Sequence, residues 1–368
     1  MHKIRILIVT HAPLSPKYGA GQMAINLAEA FKKQGHEVRH WSPHPMPNFT
    51  RWWQYLETLP LMRSRLDSFL SEQEPFDVID CAGVLITNSV VAKSKLTVAR
   101  SVQPDIPYLA SGLLDGKGIK KIILLPFNLF SALVHIFLLL QGWSRTTYIL
   151  CLGSLELKMI NRWFPWWRSK SLFYVNAISK DEQVEFTKIR LNRVQQDLES
   201  TRFIWIGRWA AHKGIKELVE FICHRTISHP KDTFTIAGCD KNAEKDFPDE
   251  LIKSGQLKIV PSFDRSEIYS LIANHDAGLF TSKTEGWGLI LNEMLESGMP
   301  VFATQVGGVP DLQPFCKNIY PFPPPDKLTF EYLKSCQISE NYYNFFVWDK
   351  IAETYVNQIF VNFYSTNE

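Results

Sequence analysis

The sequence predicts an α/β chain built of two doubly wound, parallel-sheet halves. Three observations carry this. Short apolar runs without polar alternation, such as residues 4–10 (IRILIVT), have the composition of strands buried on both faces. Segments with helical spacing of apolar residues follow these runs, the alternation that covers a parallel sheet with helices. The pattern then restarts near Phe203, in a chain of 368 residues that is 45% hydrophobic, enough for two ordinary cores.

Residues 4–10 open the first half. Residues 24–34 follow as an amphipathic helix, with Ile25, Leu27, Ala28 and Phe31 inward and Gly35 as its C-terminal cap. Residues 36–41 read as the second strand, and 77–80, 96–99 and 148–152 as later ones. A joint falls near residues 177–181. In the second half, 203–206, 233–237, 258–260, 277–280 and 300–303 read as strands with helical segments between them. A proline-rich loop, 320–326 (YPFPPPD), precedes the last helices, of which the final one spans 348–363. The domains so delimited are 1–178, 179–345 and a C-terminal helix, 346–368, that packs back toward the N-terminal domain.

Composition narrows the function. A net charge of +3 is too small to imply a nucleic-acid surface. The six cysteines (Cys81, Cys151, Cys223, Cys239, Cys316, Cys336) contain no C-x-x-C pair, which fits reduced core thiols in a cytoplasmic protein. The first apolar stretch, residues 4–9, is too short for a signal-peptide core.

Gly19-Ala20-Gly21-Gln22-Met23-Ala24 nominally matches the dinucleotide fingerprint, but eight residues separate it from its strand where a tight turn is wanted. The second strand also ends in His40 and Trp41 rather than a ribose-holding acid. A phosphate-facing glycine loop fits better than a nicotinamide site.

The stretch Glu285–Glu293, EGWGLILNE, places two carboxylates eight positions apart across a glycine-rich helix start. A hydrolase pair would stand roughly 5 to 10 Å apart across one bond. On a single helix these two would be separated by about 12 Å of rise. A metal pair lacks a histidine or aspartate at ligand spacing nearby. A third arrangement divides the roles: Glu285 acts from the loop, Glu293 accepts hydrogen bonds from a ribose diol, and the amides of Gly286, Trp287 and Gly288 face an anion. Acids near a helix start also simply oppose the macrodipole, and spacing alone leaves both readings open. Upstream, Ile206-Gly207-Arg208 and then Lys213 put two cations beyond a strand's carboxyl end, a fork and a point charge suited to a diphosphate. Two solvated surface cations are the plain alternative.

Together these pieces resemble the retaining GT-B glycosyltransferases of family 4. The resemblance is carried by GRWAAHKG at 207–214, DAGLFTS at 276–282 and EGWGLILNEMLESGMPVFATQVGGVPDL at 285–312, with the family's E-x7-E on Glu285 and Glu293 and its glycine pair on Gly307 and Gly308. The N-terminal half matches more loosely, through the loop before Ala24 and KKQGHEV at 32–38; YVNAIS at 174–179 has Ala177 where the family has glycine. The resemblance implies two Rossmann-like domains facing each other across a cleft, and a hexosyltransferase-type reaction from a nucleotide sugar to a glycan or lipid-linked acceptor. It implies retention, no metal, no cofactor and no nucleic-acid partner. Carried over by position, it makes Arg208, Lys213 and Glu285 the catalytic group. Arg208 and Lys213 bind the diphosphate, and Glu293 holds the ribose. Gly207, Gly286, Trp287, Gly288 and Leu289 line the donor, while Gly19 approaches its phosphate from the first domain.

One departure matters. The family commonly carries a histidine after an N-terminal-domain strand, where this chain reads Val98-Ala99-Arg100-Ser101-Val102-Gln103-Pro104-Asp105. Val102 cannot hydrogen-bond a sugar. Either Arg100, Gln103 or Asp105 serves the acceptor side, or the chain is a catalytically impaired binder of nucleotide sugars or glycans.

Residues 122–140, IILLPFNLFSALVHIFLLL, resemble a membrane segment, and as a helix span about 28 Å. Lys117, Lys120 and Lys121 precede them; Trp143, Arg145 and RWFPWWR at 162–168 follow. A crossing would separate strands that should share one sheet. A buried helix and a peripheral contact through 117–168 at the inner face of the cell membrane both remain open, the flanking tryptophans and cations suiting the latter.

Overall fold

The structure, a computed structural model, describes residues 3–15, 19–48, 56–114, 119–193, 199–329, 332 and 338–361. The chain divides into one unit formed by Met1–Asn176 and Phe346–Glu368, and a second formed by Ala177–Phe345. Each is built on a six-stranded sheet in which every described pairing is parallel.

The first unit runs β1 (Arg5–Val9), α1 (Gly19–Lys33), β2 (Glu37–Trp41), α2 (Thr58–Ser71), β3 (Phe76–Ala82), α3 (Asn88–Ala92), β4 (Ser94–Arg100), α4 (Asp105–Leu114), α5 (Ile119–Arg145), β5 (Tyr148–Leu152), α6 (Ser154–Trp163) and β6 (Ser171–Tyr174). The strand order is β2-β1-β3-β4-β5-β6. Ile6, Leu7 and Ile8 of β1 are wholly buried, as an inner strand between two parallel neighbours requires. Helix α1 begins five residues before the expected start at Ala24, so the glycines read as a loop form its first turn. The reason is close approach: a Cβ on Gly21 would lie 2.3 Å from the Pro13 carbonyl oxygen. Strand β6 was not anticipated.

Helix α5 connects β4 to β5, and these are neighbours, with Val98 opposite Tyr148. The chain leaves and re-enters the same sheet, as the sequence argument against a crossing expects. Leu139 and Trp143 are buried, and Gly142 packs so closely that a Cβ there would meet the Gly83 carbonyl oxygen at 2.0 Å. The C-terminal half of α5 is thereby part of the core, while Leu129, Phe130, Leu133 and Phe137 are exposed. Lys117 lies outside the described residues, as do the side chains of Lys120 and Lys121.

The second unit runs α7 (Lys180–Asn192), β7 (Arg202–Ile206), α8 (Ile215–Ser228), β8 (Thr233–Ala237), α9 (Asp249–Lys253), β9 (Leu257–Val260), α10 (Ile268–Ala273), β10 (Ala277–Phe280), α11 (Leu289–Glu296), β11 (Val301–Ala303), α12 (Val309–Leu312) and β12 (Ile319–Pro321). Its order, β12-β11-β10-β7-β8-β9, is that of a dinucleotide-fold sheet. Strand β12 takes Tyr320 and Pro321 from the expected proline-rich loop; as an edge strand it tolerates the missing amide. Ser179 and Glu182 cap α7 reciprocally.

The chain then returns to the first unit with α13 (Trp348–Val356), which packs on α1, the Phe31 and Tyr355 rings lying edge to face at 5.0 Å. Residues 362 and 363, expected to end this helix, lie outside the described residues.

Candidate functional site

In the second unit β7 comes first in sequence but sits mid-sheet, with β8 and β9 on one side and β10 to β12 on the other. Connections leaving β7 and β10 therefore diverge, and the crevice at their carboxyl ends is where open α/β sheets take ligands. Lys213 follows β7 and Glu285 follows β10. Lys213 Nζ donates to Glu285 Oε2, and both side chains are largely shielded, 17% and 16% exposed.

The local chain is shaped to make this meeting. Lys213 ends a short 3-10 turn, Ala211–Lys213, and Gly214 leaves it in the left-handed conformation at φ 70°. A Cβ on Gly214 would stand 1.9 Å from the Thr281 carbonyl oxygen, so only glycine lets the two loops touch. Thr281 Oγ1 donates to the Lys213 carbonyl at 2.7 Å and accepts from Trp205 Nε1 at 3.0 Å. Ser282 Oγ donates to Glu285 Oε2 at 3.1 Å, giving that carboxylate a second anchor. Arg208 stands exposed just beyond β7 and has no hydrogen-bond or ion-pair partner among the described residues. Gly207 is half-buried, its amide donating to the Ala237 carbonyl at 3.0 Å.

Gly286 and Trp287 are buried, and Trp287 contributes backbone rather than side chain to any ligand surface. Its indole Nε1 donates to Asn292 Oδ1 at 2.5 Å, and its carbonyl accepts from the Gly308 amide at 2.9 Å. Gly288, at φ 88°, is the N-cap of α11 and supplies no capping side chain; Leu289 opens the helix. The first-turn amides of α11 are thus left without a side-chain cap. Gly307 and Gly308, after β11, pack directly against Glu285 and Trp287.

Glu293 lies in α11 and is 2% exposed. Arg265 Nη2 donates to its Oε1 at 2.5 Å and to Glu182 Oε1 at 2.6 Å, while Glu293 Oε2 has no hydrogen-bond partner. Burial raises the proton affinity of this carboxyl, and the Arg265 guanidinium opposes that. Sequence reading missed Arg265, an ordinary surface-type residue of the β9–α10 connection with no motif around it.

The first unit has its own cluster at the carboxyl edge of its sheet. Arg100 does not belong to it as an available group. Its guanidinium is 4% exposed, bonded to Asp80 at 2.9 and 3.1 Å through Nε, and stacked over Tyr174 at 4.4 Å. That corrects its reading as an acceptor-side candidate. Gln103 and Asp105 are half-buried, and Val102 lies between Ser101 and Gln103, which are tied by Ser101 Oγ donating to the Gln103 carbonyl at 2.7 Å. Asp105 Oδ1 stands 3.6 Å from His135 Nε2 of α5. His11, just after β1, senses both groups electrostatically; burial lowers its pKa, Asp105 opposing, and its Nδ1 has no hydrogen-bond partner. Burial pushes the nearby Glu156 carboxyl up to about 8, although it accepts from Ser101 Oγ at 2.7 Å and from the Leu152 amide at 2.6 Å. His135 and His11 were missed because one sits in an apolar run and the other in an unpatterned loop. Gly19 is exposed at the first residue of α1.

Residues 189–316 match the family described as glycosyl transferases group 1. That segment contains the Lys213–Glu285 pair, Arg208, Arg265 and Glu293. Curated relatives include a glycogen synthase of Mycobacterium tuberculosis, 24% identical over 110 residues, or 29% of this chain and 26% of the relative. The gpi3 subunit of phosphatidylinositol N-acetylglucosaminyltransferase from Schizosaccharomyces pombe is 27% identical over 125 residues, 33% of this chain and 27% of that one. The chain thus spans about a quarter of the length of these relatives. Over almost its full length the fold is similar to sucrose-phosphate synthase from Thermosynechococcus elongatus, with a TM-score of 0.68, 15% identity, and coverage of 98% and 99% of the two chains. The fold is that of the GT-B glycosyltransferases.

Proposed function

We propose that this chain is a hexosyltransferase-type glycosyltransferase that moves a sugar from a nucleotide-sugar donor to a glycan or lipid-linked acceptor, with retention and without a metal. The observation that carries it is the meeting of Lys213 and Glu285 at the strand-order switch of the second unit's sheet, inside the segment matched to glycosyl transferases group 1. Without donor, the Glu285 carboxylate holds Lys213 in place. A diphosphate arriving at the switch competes for Lys213 and recruits Arg208, and Glu285 is released to accept hydrogen bonds from sugar hydroxyls. The bond from the sugar's anomeric carbon to the phosphate oxygen breaks as the acceptor oxygen bonds to that carbon. The acceptor proton passes to the departing phosphate oxygen. Lys213, the recruited Arg208 and the α11 amides neutralise the leaving group. Asp105 and His135 are the acceptor-side pair in this proposal. The five cysteines among the described residues are free thiols, which supports a reducing, cytoplasmic setting.

Purified protein screened against UDP-, GDP- and ADP-sugars by thermal shift and donor turnover tests the proposal. One donor class is expected to raise stability by about 2.7 kcal/mol at a hundredfold excess over its Kd. Saturable binding without turnover on any acceptor would favour the impaired-binder alternative raised by Val102. No stabilisation by any nucleotide sugar overturns the proposal.

A further inference from the structure

We infer that the outer face of α5 docks on an anionic lipid bilayer, lying in its interface rather than crossing it. Leu125, Leu129, Leu133 and Phe137 recur every four residues, and with Phe130 they form one helix face whose members are 42% to 63% exposed. A helix on the surface of a soluble domain turns polar side chains outward. Here five large apolar side chains face outward on consecutive turns, a patch of the kind that marks an interaction site. The other face of the same helix is fixed by Leu139, Gly142 and Trp143, so the apolar face is held outward by the core beneath it.

Charge and aromatic content identify the occupant. Residues 119–170 hold seven Lys and Arg but one acid, Glu156, and that acid is buried. Arg162 and Arg168 are exposed, and so are Trp163 and Trp166. These tryptophans are not remote from α5. The Trp143 ring meets Phe164 at 5.7 Å and Trp167 at 5.8 Å, and Trp166 meets Trp167 at 6.0 Å. An apolar helix face with exposed tryptophan and cations beside it matches the interface of a bilayer carrying negative headgroups, where each nearby cation contributes about 1 kcal/mol. A second copy of the chain would bring the same excess of positive charge to the contact and be repelled by it. Depth is limited by the fold. Because β4 and β5 are adjacent in one sheet, α5 can sink its outer face but cannot thread through.

The test is co-sedimentation of the full chain with vesicles of phosphatidylcholine alone and of phosphatidylcholine mixed with phosphatidylglycerol. The wild-type chain is expected to sediment with the mixed vesicles, weakly or not at all with the neutral ones, and less as salt rises. Leu133→Ser with Phe137→Ser, and separately Arg162→Glu with Arg168→Glu, should each weaken binding by roughly tenfold or more. All four side chains are at the surface, so unchanged circular dichroism and melting are expected and are checked first. Wild-type protein that stays in the supernatant, or variants that sediment as it does, overturn the inference. So does light scattering that shows a dimer which the serine variant dissociates, since the face would then belong to a second copy. No nucleotide sugar enters this assay, so its failure is separate from failure of the proposed activity.

Discussion

One guanidinium joins two carboxylates in the second unit: Arg265 Nη2 donates to Glu293 at 2.5 Å and to Glu182 at 2.6 Å. Glu293 is almost fully buried, and Arg265 is the countercharge the structure gives it. Arg265→Gln should cost on the order of 2 kcal/mol, below the about 3–5 of a fully buried pair because the arginine is 33% exposed. Urea unfolding of Arg265→Gln, Glu293→Gln and the double variant measures this. A double variant no worse than Arg265→Gln alone is expected, since the glutamine at 293 carries no charge to leave unpaired. Strict additivity would show that the two side chains are not coupled.

Lys213 and Glu285 should matter more to rate than to stability. Lys213→Ala and Glu285→Ala are each expected to slow sugar transfer by about tenfold or more if they hold charge at the reacting centre. Steady-state kinetics with the best donor reads this directly. Wild-type rates in both variants would remove the site assignment.

Asp105 and His135 should separate the two half-sites. Asp105→Asn and His135→Gln are expected to raise the acceptor KM by about tenfold while leaving donor hydrolysis near the wild-type rate. Equal losses in transfer and hydrolysis would place the pair outside acceptor recognition.

Glu156 should make stability depend on pH. Burial raises its folded pKa from an ordinary 4.5 to about 8, so over that window the folded chain binds more protons than the unfolded one. The stabilisation is complete below about 4.5 and is lost as pH rises through about 8. Melting temperatures of the wild type against Glu156→Gln across this range should converge at the acid end and part toward the alkaline end, the glutamine variant falling less. Parallel curves would count against it.

Gly214 and Gly255 test backbone against contact. Both have positive φ, 70° and 80°, but a Cβ at 255 meets nothing within 4 Å, whereas at 214 it would strike the Thr281 carbonyl. Gly255→Ala should cost about 1–2 kcal/mol from conformation alone. Gly214→Ala should cost clearly more and also displace Lys213, so activity should fall with stability. Equal urea midpoints for the two would argue that the β7 and β10 loops can part freely.

The doubly wound class was legible because it is written in long apolar runs. RILIV and FIWI announce inner strands whatever the loops do. Strands β6 and β12 escaped because SLFY and IYP are short edge strands, one beside a tryptophan-rich turn and the other ending in proline. The start of α1 escaped for a different reason. Gly19 and Gly21 look like chain flexibility, but the second answers the Pro13 carbonyl lying against it. Among site candidates, Glu285, Lys213 and Arg208 could be named because each follows a strand end at close range. Arg265 and His135 could not, since what distinguishes them is the neighbour that tertiary packing supplies. Arg100 misled for the same reason in reverse: its partner Asp80 is twenty positions away on the adjacent strand.

The return of α13 to the first unit sets an order on synthesis. Tyr355 covers Phe31, and its ring lies 5.3 Å from the Arg100 guanidinium, yet the ribosome adds it only after the whole second unit has been made. A nascent chain stopped short of Trp348 therefore presents an unfinished first unit, with an apolar stripe of α1 uncovered and open to chaperones. The second unit, contiguous in sequence, has every residue it needs before then.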